Sequence, residues 1–394
     1  MKYNFDEIID RKTTNSKKWN PKLYQTIFNG HTDLLPLWVA DMDFKVAEPI
    51  LDSMRKVIDH GVLGYTLPDE EYYNSIIQWN RRRKNCSVEK DWIVYTNGVV
   101  PAISLIIQNF TNSGDNILIQ TPVYPPFKLI PEGCGRNVIL NPLVDNAGYY
   151  TMNFEDFEKK IVDNNIKLFI LCNPHNPVGR VWKKEELEKI ANICLKHNVF
   201  IISDEIHSDL IFKESTFTSF LNLDKKFFNK LFICTAPTKT FNIAGTQTSL
   251  IFIPNKDLKD KFQSYLSNIR METPNSFGIE GVKAGYLYGE EWLEQVIEYL
   301  DSNRHFIKTF LEEKLPEINY HLPEGTYLAW IDFSKILKDE DMLEFFEKKA
   351  KIAIDYGTWF GEEGSGYIRL NFACPRAVLE QALNNIFNAI SNLK

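Results

Sequence analysis

The feature that most constrains the fold is a regular alternation of two patterns between residues 92 and 254. Short apolar runs, rich in β-branched and aromatic residues, are separated by amphipathic stretches such as residues 184–197. Strands that alternate with helices predict a largely parallel, helix-covered sheet. The first six runs are residues 92–95, 117–120, 138–140, 168–172, 199–203 and 231–234. A seventh run, residues 248–254, follows so closely that we expect an antiparallel neighbour in the same sheet.

The rest of the chain divides around this alternation. Residues 1–48 begin with a polar and aromatic stretch without clear period, and we expect an arm or a part of a small domain. Residues 49–288 form the predicted large domain. Residues 289–394 open on one long amphipathic helical pattern, followed by strand, helix, strand and helix patterns. The predicted fold class is therefore α/β, with a mostly parallel seven-stranded sheet in the large domain and a smaller α+β domain.

Composition excludes several classes of function. A net charge of -7 and the lack of a long basic block argue against nucleic acid as a partner. The short basic run at residues 81–84 is expected to be a solvated helix face. No apolar stretch is long enough to predict a membrane span, and the start lacks the apolar stretch of a signal peptide. Six scattered cysteines without a CxxC pair predict reduced core thiols and no metal site, so we expect a cytoplasmic protein.

Lys239 is oddly placed for a surface charge. It lies just past the apolar run 231–234, among small and hydroxyl residues. Partial desolvation depresses the pKa of a lysine and frees its amine, which can then form a Schiff base with a carbonyl cofactor. The alternative is a lysine that extends from a strand end into solvent. This stretch alone does not decide between the two.

Other unusual residues follow other predicted strands, and ligands bind beyond the carboxyl ends of strands in open α/β sheets. Gly98 and Val99 lie in a turn into a helix, where backbone N–H groups can bind phosphate; a plain strand-to-helix turn is the alternative. Tyr124 lies in a proline-rich loop and can stack on a flat ring, or be an ordinary packed tyrosine. Asn176 belongs to a loop with two Asn-Pro dipeptides, a rigid turn that can aim its amide at a ligand.

Asp204 ends the predicted strand 199–203 and needs a cationic partner or strong hydrogen bonds there. A protonated pyridine nitrogen meets that need, whereas the alternative is an N-cap for the next helix. Its neighbour Glu205 is expected on the surface. A phosphate cradle, a stacking ring, an amide, a buried carboxylate and an amine together are what pyridoxal 5′-phosphate (PLP) requires.

Five motifs in this order resemble a known family. They are Val-Ala-Asp-Met-Asp-Phe, Thr-Pro-Val-Tyr-Pro-Pro-Phe, Asn-Pro-His-Asn-Pro-Val-Gly, Ser-Asp-Glu-Ile-His and Lys-Thr-Phe-Asn-Ile-Ala-Gly. The chain resembles the fold-type I PLP enzymes of the class I/II aminotransferase superfamily over essentially its whole length. Within that superfamily it is most similar to the MalY/PatB branch, the cystathionine β-lyase-like C–S lyases.

The resemblance implies a role for each of these residues. Lys239 would form the Schiff base and move the Cα proton, and Asp204 would keep the pyridine nitrogen protonated. Asn176 would hydrogen-bond the phenolic oxygen of the cofactor, and Tyr124 would stack on its ring; both would also contact the substrate. The phosphate would be bound by Gly98, Val99 and Thr238.

Further implied roles lie outside these strand ends. Tyr65 would reach the phosphate of the neighbouring subunit and share in catalysis with Lys239, so a homodimer with shared active sites is expected. Arg369 would bind the substrate α-carboxylate bidentately; a surface strand arginine is the alternative. His207 would contact the cofactor where many aminotransferases carry a tyrosine. Gln247 replaces an arginine that pairs with the phosphate in many aminotransferases, and both differences favour the lyase branch.

Three hypotheses for the function follow. The first is β-elimination from a cysteine S-conjugate such as cystathionine, which yields a thiol, pyruvate and ammonia. The second is transamination of an amino acid, and the third is a regulatory binding protein on the same fold. The substrate is expected to be a small molecule of the amino-acid class, and the candidates for the pocket of its distal part are Trp38, Asp41 and residues 358–360.

Overall fold

A computed structural model describes residues 3–393 of the chain. Its α-helices are α1 (Pro21–Ile27), α2 (Glu48–His60), α3 (Glu70–Lys84), α4 (Val99–Phe110), α5 (Pro126–Gly133), α6 (Phe154–Asp163), α7 (Lys184–Lys196), α8 (Pro237–Thr240), α9 (Lys256–Asn268), α10 (Ser276–Tyr288), α11 (Glu290–Lys314), α12 (Asp339–Leu343) and α13 (Arg376–Ser391). Its strands are β1 (Leu35–Pro36), β2 (Ile93–Thr96), β3 (Asn116–Ile119), β4 (Asn137–Leu140), β5 (Val144–Asn146), β6 (Tyr149–Thr151), β7 (Leu168–Cys172), β8 (Phe200–Asp204), β9 (Leu231–Thr235), β10 (Ser249–Phe252), β11 (Asn319–Tyr320), β12 (Leu328–Asp332), β13 (Ile352–Ala353), β14 (Asp355–Tyr356) and β15 (Tyr367–Asn371).

The predicted seven-stranded sheet is confirmed, in the order β2-β10-β9-β8-β7-β3-β4. Strand β10 is antiparallel to both of its neighbours, and the other pairs are parallel, as the sequence predicted. The sheet is buried on both faces. Successive side chains of a strand point to opposite sides and so enter different apolar cores. In β7, Leu168, Ile170 and Cys172 enter one apolar core, whereas Phe169 and Leu171 enter the other.

The C-terminal part forms the predicted α+β unit. Its antiparallel sheet has the order β11-β12-β15-β14, and β15 lies between two partners, so that Arg369 is opposite Trp330 on one side and Asp355 on the other. The N-terminal segment joins this unit, because β1 pairs in parallel with β13. The helix predicted between the two strand patterns of this unit is instead the short α12 followed by a π-helical turn, Glu344–Lys349.

The N-terminal stretch is more ordered than its sequence indicated. Helix α1 and a cluster of charged residues pack there, and the pattern without clear period predicted neither of them. Asp43 is the centre of that cluster. Its carboxylate accepts hydrogen bonds from Arg11 and Lys18, both at 2.6 Å, and from the indole of Trp19 at 3.0 Å. Lys18 is fully buried, so these polar contacts take the place of the apolar periodicity that the sequence lacks.

The basic run at residues 81–84 is only in part the solvated face that we expected, because Arg81 and Arg82 are exposed whereas Arg83 is half-buried and Lys84 is buried. Arg82 and Arg83 form ion pairs with Glu290 at the start of α11. Lys84 is buried, with its amine 3.7 Å from a carboxylate oxygen of Asp209. The run therefore joins α3 to two neighbouring segments.

Sequence patterns missed the hairpin β5–β6 and the helices α9 and α10. All six cysteines are free, and five of them are buried, as predicted for core thiols. Among the helices of residues 3–393, none has both the length and the apolar character that crossing a bilayer requires.

Candidate active site

A cavity of about 220 Å³ lies beyond the carboxyl ends of the central strands. Most of the residues that the sequence singled out line it. They are Gly98, Val99, Tyr124, Asn176, Asp204, His207, Thr238 and Lys239. These residues come together because each lies at or just after a strand of one sheet, or on the turn that follows. The cavity is also lined by Gln247 and by residues without a predicted role, among them Ala40, Asn97 and Cys172.

Lys239 lies on α8, the single helical turn that follows β9. Its amine donates a hydrogen bond to the backbone carbonyl of Ala40, and the side chain does not extend into bulk solvent. Burial lowers the pKa of Lys239 to about 8, Asp41 and Asp204 oppose this shift, and the positive charge of Arg369 adds to it. A part of the amine is thus uncharged near neutral pH, as a nucleophile requires.

Asp204 ends β8 and is buried at the cavity wall. Burial raises the pKa of its carboxyl to about 7, although the N–H of Ile206, which donates to Oδ1 at 3.0 Å, lowers it. Within residues 3–393 it forms no salt bridge. The alternative was an N-cap for the next helix. No α-helix begins directly after Asp204, so its contact with the N–H of Ile206 belongs to a turn. A protonated ring nitrogen would supply the missing cationic partner.

The start of α4 offers the predicted anion site. Gly98 precedes the helix with φ +141°, a backbone conformation that residues with a Cβ rarely adopt, and a Cβ there would lie 3.3 Å from the ring of Pro101. The first N–H groups of a helix have no partner within the helix, and its dipole favours a negative charge. Thr238, whose side chain carries a hydroxyl, lines the same cavity. This combination fits a phosphate group.

Tyr124 and Asn176 are held side by side. The N–H of Tyr124 donates to the backbone carbonyl of Asn176 at 3.1 Å, and both side chains line the cavity. The Oδ1 atom of Asn176 accepts a hydrogen bond from Arg369 at 2.9 Å. Its amide Nδ2 is thereby left as the donor for a ligand, which suits the phenolic oxygen of PLP.

Arg369 is buried, so the alternative of a surface arginine is wrong. Its Nη1 donates to Asn176, and its Nη2 donates to the carbonyl of Trp38 at 3.1 Å and to the carboxylate of Asp355. The guanidinium also lies over the ring of Phe360, 4.9 Å from the ring centre. These contacts hold the guanidinium at one place next to the cavity.

His207 is buried at the cavity wall, with no hydrogen-bond partner for Nδ1 in the described part of the chain. Burial lowers its pKa to about 3, and the positive charges of Lys239 and Arg369 contribute. The imidazole is therefore neutral at physiological pH. Its ring packs against Tyr327, with 5.8 Å between ring centres.

Tyr65 is the one predicted site residue that lies far from this arrangement. It is fully exposed on the loop between α2 and α3, and it does not line the cavity of its own chain. Three apolar side chains of the same loop, Val62, Leu63 and Leu67, are also exposed. The loop thus presents an apolar surface to whatever lies beside it.

The three candidates for a distal substrate pocket contact other parts of the protein. Trp38 donates from its indole to the carbonyl of Lys18, and Asp41 forms an ion pair with Arg11. Within residues 358–360, Phe360 supports Arg369.

For two acidic residues the sequence led to a wrong prediction or to none. Glu205 is buried, not on the surface, and it accepts hydrogen bonds from Ser203 and from the N–H of Phe220. Asp355, the partner of Arg369, was missed altogether. The only signal in the sequence is that it directly follows the apolar run 352–354. Which arginine it would meet depends on the pairing of β14 with β15.

Comparison with known proteins identifies the family of the chain. Residues 32–386 match the family described as aminotransferase class I and II. The cystathionine β-lyase PatB of Bacillus subtilis is 40% identical over 98% of this chain and 100% of its own length. Cystalysin of Treponema denticola, whose crystal structure contains PLP, is 39% identical over all of both chains with a TM-score of 0.95. A PLP-bound putative aminotransferase from Clostridium difficile is 46% identical over 99% of this chain and 100% of its own, also with a TM-score of 0.95.

The predicted fold-type I architecture is confirmed by the likeness to cystalysin, which extends over the large sheet and the small domain alike. The full-length match to PatB places the relationship within the predicted branch. The chain belongs to the aminotransferase class I and II family, and within it to the group that includes PatB.

Proposed function

We propose that this chain is a PLP-dependent C–S lyase that cleaves the Cβ–S bond of cysteine S-conjugates such as cystathionine. With one water consumed, the products are a thiol, pyruvate and ammonia. The observation that carries the proposal is a half-buried lysine with a pKa of about 8 in one cavity with a buried aspartate that has no salt bridge within residues 3–393. The relatives PatB, a cystathionine β-lyase, and cystalysin, which contains PLP, support the same reaction class.

The residues of the cavity fit PLP. Bound PLP supplies an aldehyde that links covalently to amines and an electron-poor ring that takes up the electron pair of a broken Cα–H bond. Asp204 would hold a proton on the ring nitrogen, and the Nδ2 of Asn176 would donate to the phenolic oxygen. Tyr124 would stack on the ring. The start of α4, at Gly98 and Val99, and the hydroxyl of Thr238 would bind the phosphate, and these residues line the cavity.

Lys239 and Arg369 act on the substrate. The uncharged amine of Lys239 takes the proton from Cα, which its lowered pKa permits near neutral pH. Arg369 binds the α-carboxylate and so orients the Cα–H bond toward that amine. Neutral His207, at the cavity wall, adds no charge to the site.

The runner-up is transamination, which needs the same residues as far as proton removal from Cα. The relative from Clostridium difficile, named a putative aminotransferase, favours this alternative. Gln247 and His207, where many aminotransferases carry arginine and tyrosine, favour the lyase. A regulatory binding protein on the same fold is the third hypothesis, and the intact set of Lys239, Asp204 and Arg369 argues against it as the sole function.

The test is a pair of assays on PLP-loaded protein with L-cystathionine. One measures pyruvate and free thiol without a keto acid, and the other measures glutamate formed from 2-oxoglutarate. Pyruvate and thiol without an acceptor support the lyase; product only with 2-oxoglutarate refutes it in favour of transamination. Absence of both products would refute L-cystathionine as a substrate of either reaction. The absorbance of covalently bound PLP should vanish in Lys239→Ala and persist in the surface control Lys256→Ala.

We also propose a homodimer in which Tyr65 reaches the phosphate site of the neighbouring subunit. The exposed apolar loop around Tyr65 supports this, because large exposed apolar patches commonly mark protein interfaces. Lys239→Ala and Tyr65→Ala chains should each be impaired, yet regain activity when mixed, because one site of the mixed dimer has both residues. No recovery on mixing, in a sample shown to be dimeric, would refute the shared site.

Two organisational proposals complete this account. We assign residues 1–48 to the small domain or an arm of it, 49–288 to the large domain and 289–394 to the small domain; the pairing of β1 with β13 supports the first assignment. Six free cysteines are typical of a reducing compartment, which supports a cytoplasmic location.

A further inference from the structure

Arg369 already has a carboxylate beside it. Asp355 and Arg369 are register partners on the antiparallel strands β14 and β15. Their side chains are only 7% and 6% exposed, and the guanidinium donates to a carboxylate oxygen of Asp355. The positive charge that is meant to attract a substrate carboxylate is therefore balanced from within the protein.

The hydrogen bonds of the guanidinium show where an incoming carboxylate must go. A guanidinium can bind a carboxylate bidentately along two edges. One edge presents Nε and Nη2, the other Nη1 and Nη2, so both include Nη2. In Arg369, Nη2 donates to both Trp38 and Asp355, Nη1 donates to Asn176, and buried Nε has no partner within residues 3–393. Both hydrogens of Nη2 are already donated, so a second carboxylate that binds bidentately must share Nη2 with Asp355 or replace Trp38 on it, and in either case it lies next to the carboxylate of Asp355.

Two carboxylates beside one guanidinium repel each other, and the repulsion is strong where water is excluded. The net charge of the ligand then decides how much it is disfavoured. An α-amino acid is a zwitterion and brings no net charge into the pocket. The 2-oxo acid of the same carbon skeleton brings one negative charge with no compensating ammonium group.

The geometry points to Asp355 as the residue that makes the Arg369 site select zwitterionic amino acids over 2-oxo acid anions. This inference rests on the proposed role of Arg369 in binding the substrate carboxylate. It has a consequence for the reaction: pyruvate leaves readily after elimination, and 2-oxo acids, the amino acceptors of transamination, bind weakly. Asp355 thus favours elimination through selective binding, and it is a specificity residue that does not itself touch the reacting atoms.

The test compares pyruvate with L-alanine, which share one carbon skeleton. L-Alanine has no leaving group on Cβ and is not consumed by elimination. Dissociation constants for both are measured by calorimetry on the PLP-loaded wild type and on Asp355→Asn, which keeps the shape and removes the charge. We expect pyruvate to bind at least about tenfold more tightly in the variant, and the affinity for L-alanine to change by less than about threefold.

Two controls separate charge from shape. Asp355→Glu restores the charge and should restore the wild-type ratio of the two dissociation constants. Asp301→Asn removes a carboxylate that pairs with another buried arginine, Arg304, and should leave the ratio unchanged. A merely structural role of Asp355 would instead weaken both ligands, and that result would overturn the inference. If Asp355→Asn does not fold, Asp355→Ser, which removes the same charge, takes the place of Asp355→Asn in the test.

Arg369→Met distinguishes the two possible failures. If it leaves both dissociation constants unchanged, the proposed role of Arg369 is refuted, and the selectivity of Asp355 with it. If it weakens both ligands while Asp355→Asn leaves their ratio as in the wild type, only the inference about Asp355 is refuted.

Discussion

Replacing Asp204 with asparagine should stabilise the chain without cofactor and weaken its hold on PLP. Without PLP, Asp204 is a buried carboxyl with no salt-bridge partner in the described structure. Burial raises its pKa from 3.8 to about 7, which means that the folded protein disfavours the ionised form. Asparagine has nearly the same shape and no charge, so it removes that cost.

The magnitude follows from the same pKa. Between pH 3.8 and about 7, the folded chain keeps the proton of Asp204 and the unfolded chain has lost it, so rising pH destabilises the fold. The penalty is roughly 2 kcal/mol at pH 5.5 and levels off at roughly 4 kcal/mol above pH 7. For 394 residues, 4 kcal/mol corresponds to a rise in Tm of about 5 °C.

The assay is denaturant and thermal unfolding of PLP-free wild type and Asp204→Asn at pH 5.5 and 8. The stability gain of the variant should be about twice as large at pH 8. With saturating PLP the order should reverse, because the ring nitrogen gives the wild-type carboxylate its missing partner and ligand binding stabilises the fold. Asp339→Asn, which changes a carboxylate at the surface, serves as the control.

Two results would refute this reasoning. If the variant without PLP is no more stable than the wild type at pH 8, Asp204 is not an ionised carboxylate held at a cost. If the gain is the same at both pH values, its origin is not the titration of this carboxyl.

Three further predictions concern other parts of the site and its support. The rate of covalent attachment of PLP to the cofactor-free chain should rise about tenfold per pH unit up to about pH 8 and then level off, because burial lowers the pKa of Lys239 to about that value. Stopped-flow absorbance measures this rate, and a constant rate across that range would contradict the prediction. Asp43→Asn should cost about 3 kcal/mol at pH 7 by denaturant unfolding, because buried Lys18 loses its carboxylate partner at 2.6 Å and keeps only that of Asp41 at 3.9 Å. Burial raises the pKa of Asp43 but its cationic partners outweigh burial and lower it, so this cost should shrink as the pH falls below about 4; an equal cost at pH 3 and 7 would be inconsistent with an ion pair. Gly98→Ala should cost about 1–3 kcal/mol and weaken PLP binding measured by fluorescence titration, whereas Gly133→Ala, where a Cβ meets open space away from the cavity, should do neither.

The strand ends were predictable because a local pattern decides them. Apolar runs with β-branched residues marked β7, β8 and β9 almost to the residue. Once those strands are taken as parallel, their carboxyl ends must meet at one edge of the sheet. That rule alone brought Asn176, Asp204 and Lys239 to one place, although they are far apart in sequence.

Contacts between distant segments were not predictable in this way. Residues 81–84 and Glu205 have ordinary surface-type charges in the sequence, yet the structure buries Lys84 beside Asp209 and surrounds Glu205 with donors. Whether a charge is buried depends on which segment packs over it, and no local periodicity records that.

By itself, then, the sequence determined the class of fold, the order of strand and helix, and the chemistry available at the strand ends, because each depends on neighbours within a few residues. Only the tertiary structure decided the surroundings of Arg369, which combine Asn176 of the large sheet's loops, Trp38 of the N-terminal segment and Asp355 of a neighbouring strand. Such a constellation depends on how the segments pack against each other. That packing is set by the burial of the whole apolar core and not by any single motif.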